Sequence, residues 1–312
     1  MLCESGNARR RIESSRLDAR GRVIRHRRAS VDERHERAFV VVVVVVMEYV
    51  SFEGLRLDGR RFNECRRVRH EFAVDAAADG SCRLEMGNTV VQAVVYGPYE
   101  RRTAIEEGAS EACECEATYG ASAFSTDGAR AARRVDRRAQ AHAAVLTKIV
   151  GEVVMVDLMP RCALSVRVTV LCDDGGARAA SVNAAVLALA DAGVPLRDTA
   201  SAVTCGYLDG EVLVDLNRDE ERGRGPELLL CAVGASASGD GEDAEDDERL
   251  EENLRSMEII AEELERGKTT METFDSMHDL ALAATATIAA YMRGAALSRT
   301  KALASARALE KF

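Results

Sequence analysis

Leu171-Cys172-Asp173-Asp174-Gly175-Gly176-Ala177-Arg178 runs into an alanine-rich stretch, and further on comes Asp215-Leu216-Asn217-Arg218-Asp219-Glu220-Glu221. The first segment reads as a strand, a Gly-Gly turn and a helix start carrying an arginine. Such a start offers backbone N–H groups and a guanidinium to an anion, most naturally a phosphate. Glycines at 175 and 176 allow the backbone to come close to it. The second segment sets two carboxylates, Asp215 and Glu221, six residues apart after the strand-like Val212-Leu213-Val214. Paired carboxylates suit a hard divalent cation such as Mg²⁺. Together the segments describe a site where phosphate and metal chemistry meet.

Outward from this pair, the chain reads as alternating strands and helices. Residues 66 to 76, 88 to 97, 113 to 122 and 164 to 172 read as strands, bounded by Gly87-Asn88 and Gly97-Pro98 among other turns. Residues 177 to 192 form a helix of small residues closed by Gly193 and Pro195. Residues 200 to 216 read as a hairpin turning at Asp209-Gly210. Strands at 228 to 233 and 257 to 261 follow. From Thr270 the apolar positions Phe274, Met277, Ala281, Ala284, Ile288 and Met292 mark one helix face. Residues 137 to 157 are ambiguous: Val145, Ile149 and Val153 fall at helical spacing, while the valines from 150 to 156 favour strand.

Apolar residues make up 47% of the 312, enough for a sizeable core, but aromatics are 4% and Trp is absent, so that core is aliphatic. Nine cysteines form no CxxC pair, which argues against a zinc site. Net charge is −10; residues 1–46, with 11 Arg against 6 acids, contribute +5, leaving −15 for the rest. A chain this acidic does not bind nucleic acid over its general surface, so RNA would need a local arginine stripe or basic partners. Phe39 to Met47, with seven consecutive valines, is too short to cross a bilayer. Residues 240 to 252 hold nine acids and one Arg and read as a solvated loop.

Several short stretches, in order, carry a resemblance. Arg56-Leu-Asp-Gly-Arg-Arg61, Ala78-Asp-Gly-Ser81, Gly87-Asn-Thr89, Tyr96-Gly-Pro98, Phe124-Ser-Thr-Asp127, Asp136-Arg-Arg138 and Leu158-Met-Pro-Arg161 come first. Asp174-Gly-Gly176, Asn183-Ala-Ala185 and Ala190 to Asp198 complete the series. Over residues 49 to 230 the chain resembles the RNase PH superfamily, most closely the RNA exosome ring subunit that carries the active site in archaea.

The resemblance implies an α+β, RNase PH-like fold: two halves, each a mixed β-sheet with helices packed on it, at 47–198 and 199–312. An acidic loop at 236–253 interrupts the second half, and residues 1–46 are expected to be a disordered or non-native extension. It implies phosphate binding by Gly176, Ala177 and Arg178, and RNA contacts by Arg137 and Arg138, with Arg101 and Arg102 further along the RNA path. Asp215 and Glu221 become the catalytic and metal-binding pair, inorganic phosphate the co-substrate and Mg²⁺ the cation. The implied partners are other RNase PH-like exosome ring subunits, S1/KH cap subunits, a hydrolytic nuclease subunit and single-stranded RNA, in nucleus (nucleolus) and cytoplasm, with no membrane.

One departure matters. Active members carry Asp where this chain has Glu221. One extra methylene displaces the carboxylate by about 1 Å, and a misplacement of that size costs on the order of 10²-fold in rate. The expectation is therefore a ring subunit that shapes an RNA channel with weak or lost catalysis. The alternative is an active phosphate-dependent 3′-to-5′ exoribonuclease releasing nucleoside diphosphates.

Overall fold

The computed structural model describes residues 15–17, 23–25, 44–45, 49–100, 112–125, 137–234, 257–265 and 267–306. Three short strands, β1 (Ser15–Leu17), β2 (Val23–Arg25) and β3 (Val44–Val45), pair antiparallel as a small sheet of their own. β-branched Val and Ile at 23, 24, 44 and 45 supply strand propensity.

The first half is a five-stranded sheet in the order β4 (Val68–Phe72), β5 (Gly80–Met86), β6 (Thr89–Glu100), β8 (Cys162–Cys172) and β7 (Glu114–Ala121). It is mixed: β7 runs parallel to β8, and the other pairs are antiparallel. Alternation along β5 and β6 puts Cys82, Leu84, Met86, Val91, Ala93 and Val95 in the core. Helix α1 (Arg137–Val153) packs on β7. Its buried residues His142, Leu146, Ile149, Val150 and Val153 lie at helical spacing, so burial of one face outweighs the strand propensity of its valines. A short 3₁₀ turn, Val156–Leu158, leads on to β8.

Helix α2 (Ala177–Ala192) lies against β5, β6 and β8 of this sheet and against β9 (Ala200–Leu208) and β11 (Glu227–Val233) of the second. Its buried positions run round the helix, which fits a helix enclosed on several sides. Small residues permit the close approach: a Cβ on Gly80 of β5 would stand 2.4 Å from the backbone nitrogen of Ala192. Gly193 ends α2 in the left-handed conformation, accepting the role its sequence position assigns it.

The second sheet has the order β10 (Glu211–Val214), β9, β11 and β12 (Glu258–Glu265). All its described pairs are antiparallel. The cause is local: β9 and β10 turn directly at Asp209 and Gly210, both at positive φ, as a two-residue hairpin requires. Helix α4 (Met271–Ala306) covers this sheet, burying Met277, Ala281, Ala284, Ile288 and Met292. By length and composition α4 could also span a bilayer, but that apolar face is the sheet-covering one. The 236–253 loop lies outside the described residues.

Candidate anion site at the start of helix α2

The two opening motifs meet. The Arg218 backbone N–H donates to the Asp174 carbonyl at 2.9 Å, and Arg218 Nη1 to the Asp173 carbonyl at 2.7 Å. Gly175, at φ +86°, is required by this contact, since a Cβ there would lie 2.5 Å from the Asn217 carbonyl carbon. Helix α3 (Arg218–Glu221) is a single turn fixed by a capping box: Asn217 Oδ1 accepts from the Glu220 N–H, and Glu220 returns the bond to the Asn217 N–H.

The Arg56 to Arg61 motif braces this turn. Arg56 donates to both carboxylate oxygens of Glu220, an ion pair with both side chains buried, and to the Val214 and Asp215 carbonyls. Arg60 adds two bonds to the Asp215 carbonyl at 3.1 Å. Arg56 and Arg60, without a chemical role in the sequence motif, satisfy a chain segment that must bend away from its strand, with Asp215 at φ +52°.

Asp215 itself is buried and held by Arg66. Nη2 of Arg66 lies 2.6 Å from Oδ1, Nε lies 2.9 Å from Oδ2, and the Arg66 backbone N–H donates to Oδ2 at 2.8 Å. Burial pushes the Asp215 pKa up, but the Arg66 hydrogen bonds and charge outweigh it, so the net shift is downward. Arg66 also ties the turn itself, donating to the Asp174 and Gly175 carbonyls. Arg66 was not among the residues picked out from sequence, because its partner lies 149 positions away.

Glu221 reaches in the opposite direction. Its Oε1 accepts the Gly176 N–H at 2.7 Å, at the N-cap of α2. Ala177 is the first helical residue and is buried. Arg178 turns to β12, where it pairs with Glu263 and lies 3.2 Å from Glu265. Gly176, Ala177, Arg178, Asp215 and Glu221 therefore do gather around one helix start. Arg137 and Arg138 are exposed at the beginning of α1. Arg101 and Arg102 lie outside the described residues.

The carboxylate pair does not fit a divalent cation as placed. Both Asp215 oxygens already accept from Arg66, a guanidinium occupies the adjoining space, and Glu221 serves the helix terminus. Among the described residues no three His, Cys, Asp or Glu side chains are arranged to hold a metal. Asp215 has an internal cation, Arg66, as its partner.

A buried histidine borders the site. His142 Nε2 lies 2.6 Å from Ser181 Oγ, which donates in turn to the Arg178 carbonyl. Burial, with the Arg178 charge added, pulls the His142 pKa down to about 3.

Comparison with known proteins agrees with this architecture. The 3′ exoribonuclease family matches through its domain 1 over residues 64–195 and its domain 2 over residues 198–235. The exosome complex component RRP41 of Mus musculus is 37% identical over 226 residues, covering 72% of this chain and 91% of that one. The RRP41 homolog of Arabidopsis thaliana is 42% identical over 184 residues, covering 59% and 76%. Among solved structures, rice (Oryza sativa) Rrp46 aligns with a TM-score of 0.61 at 26% identity, over 77% of this chain and all of that one. An archaeal exosome core chain aligns with a TM-score of 0.58 at 20% identity, over 77% of this chain and 92% of that one, a likeness of fold. The chain belongs to the 3′ exoribonuclease, or RNase PH, family.

Proposed function

We propose that this protein is a core ring subunit of the RNA exosome. In that role it serves 3′-to-5′ RNA processing and degradation, including rRNA processing and RNA turnover, in nucleus and cytoplasm. Its neighbours are other RNase PH-like subunits, S1/KH cap proteins and a docked hydrolytic nuclease. The reading is supported by 37% identity spanning 91% of a mouse exosome component.

The same reading assigns the subunit little phosphorolysis of its own. One observation carries this part: the Glu221 carboxylate sits on the Gly176 N–H, where an attacking phosphate would have to bind. The channel role falls to Arg137 and Arg138, exposed at the start of α1. Two cations there oppose the helix dipole, which favours an external anion as their purpose. A second reading, an active phosphorolytic exoribonuclease, draws on the arginine kept at position 178 and on Asp215.

The test is reconstitution. Co-expressed with RNase PH-like partner subunits, the chain is expected to enter a hexameric ring by native mass measurement. Arg137→Ala with Arg138→Ala should then weaken single-stranded RNA binding and reduce the slope of log K against log salt by about 0.7 per lost phosphate contact. A chain that never assembles, or an unchanged slope, contradicts the proposal.

A further inference from the structure

The inner face of β12 is unusual. Along Ala261-Glu262-Glu263-Leu264-Glu265, the half-buried positions on the Ala261 side are Glu263 and Glu265, while Leu264 is exposed. Both faces of this sheet carry a helix, α2 on the Ala261 side and α4 on the other, yet on β12 the acids rather than the leucine take the α2 side. Two inward carboxylates need a cation, and the cation here is Arg178 of α2.

The opposite side of the same helix start shows the same thing. Glu221 accepts the Gly176 N–H. Gly176, at φ +66°, brings the backbone so close to its surroundings that a Cβ would stand 2.7 Å from Arg66 Nη2 and 3.1 Å from Asp215 Oδ1. Donor capacity is nevertheless left over. Arg178 Nε is buried without a hydrogen-bond partner among the described residues. So is Thr204 Oγ1, 3.5 Å from that Cβ position, on a residue 1% exposed. Carboxylates have reached a place whose donors would serve a larger, tetrahedral anion better.

We propose that the anion site at the start of α2 is held closed by three carboxylates of the chain itself, Glu221 on the helix terminus and Glu263 with Glu265 on Arg178. Inorganic phosphate, the anion in question, can bind only by displacing them. This deepens the reading of the site given above and rests on it for the identity of the anion. Glu221 alone would leave Arg178 available; the β12 pair removes the second half of the grip. The device lies partly outside the matched family regions, which end at residue 235.

Phosphate binding by the isolated full-length chain tests it, read by calorimetric titration at fixed ionic strength. No ring and no RNA are involved, so the result is independent of exosome assembly. Wild type is expected to bind inorganic phosphate weakly. Glu221→Gln, and Glu263→Gln with Glu265→Gln, should each tighten binding, and the triple variant should gain about tenfold or more, since like charges beside a binding anion suppress it strongly. Gln keeps the size of each side chain and its acceptor oxygen, so the single variants report even where the triple is unstable. Glu262→Gln, which alters the His278 pair on the α4 side of β12, should leave phosphate affinity unchanged. Arg178→Ala in the triple background should abolish the gain. Equal affinity in wild type and all Gln variants overturns the proposal, leaving the β12 glutamates as protection of an edge strand. A gain that survives Arg178→Ala also overturns it.

Discussion

Arg66 closes on both oxygens of the Asp215 carboxylate, 2.6 and 2.9 Å away, with Asp215 1% exposed. The bond joins the approach to β4 to the segment after β10, and so ties the two halves of the protein at the helix α2 start. A buried pair of this kind is costly to break from one side, because the remaining charge is stranded. Arg66→Ala should lower unfolding free energy by about 3–5 kcal/mol in urea titration. The folded pKa of Asp215 is depressed, so its contribution is present above the unfolded value of about 3.9 and is lost as pH falls through the lower folded value. Loss of less than about 1 kcal/mol in Arg66→Ala would mean that the carboxylate finds water or another partner.

Gly175→Ala is expected to destabilise by about 1–3 kcal/mol, since the new methyl group meets backbone of residues 216–218 and the backbone sits at φ +86°. The variant should also loosen α3, visible as faster amide exchange at Glu220 and Glu221. Protection equal to wild type would show that the two motifs are not mechanically joined there.

His142 predicts a pH dependence of stability. Its folded pKa, about 3, lies below the ordinary imidazole value of about 6.5. The stability it contributes is fully present above about 6.5 and is lost as pH falls toward 3, with a slope of at most about 1.4 kcal/mol per pH unit. Between about pH 6.5 and 5, where few carboxylates titrate, His142→Gln should remove that slope while keeping the Ser181 hydrogen bond. Identical slopes in both proteins would contradict the burial.

Chelation should be silent. With Arg66 already serving as the cation for Asp215, EDTA and millimolar Mg²⁺ should each leave the unfolding midpoint unchanged to within about 1 °C, because a ligand without a site in the native state adds no stability. A Mg²⁺-dependent rise that disappears in Glu221→Gln would restore the carboxylate pair as a metal site.

The sequence disclosed elements with local causes. Helix α2 was legible at both ends because Gly175-Gly176 and Gly193 punctuate it, and the β9–β10 turn because Asp209-Gly210 demands it. The gathering of Gly176, Arg178, Asp215 and Glu221 was legible from their motif. What those side chains touch was not. Arg66 meets Asp215 across 149 residues and Arg178 meets Glu263 across 85, and no local pattern encodes either pairing. Apolar residues mark strand β12 only as far as Ala261, yet it runs to Glu265, where Arg178 pairs with the acids on its inward face. The small N-terminal sheet was hidden by the arginines around its strands. The Asn217-x-x-Glu220 capping box, by contrast, is a purely local pattern.

The most direct measurement is phosphate-dependent release of nucleoside diphosphates from single-stranded RNA by the reconstituted ring. The account predicts negligible release from wild type. It predicts a measurable rise with Glu221→Asp, whose carboxylate is drawn back by about 1 Å from the Gly176 N–H. Robust release by the wild-type ring that disappears in Arg178→Ala would contradict it, and would establish this chain as an active phosphorolytic exoribonuclease.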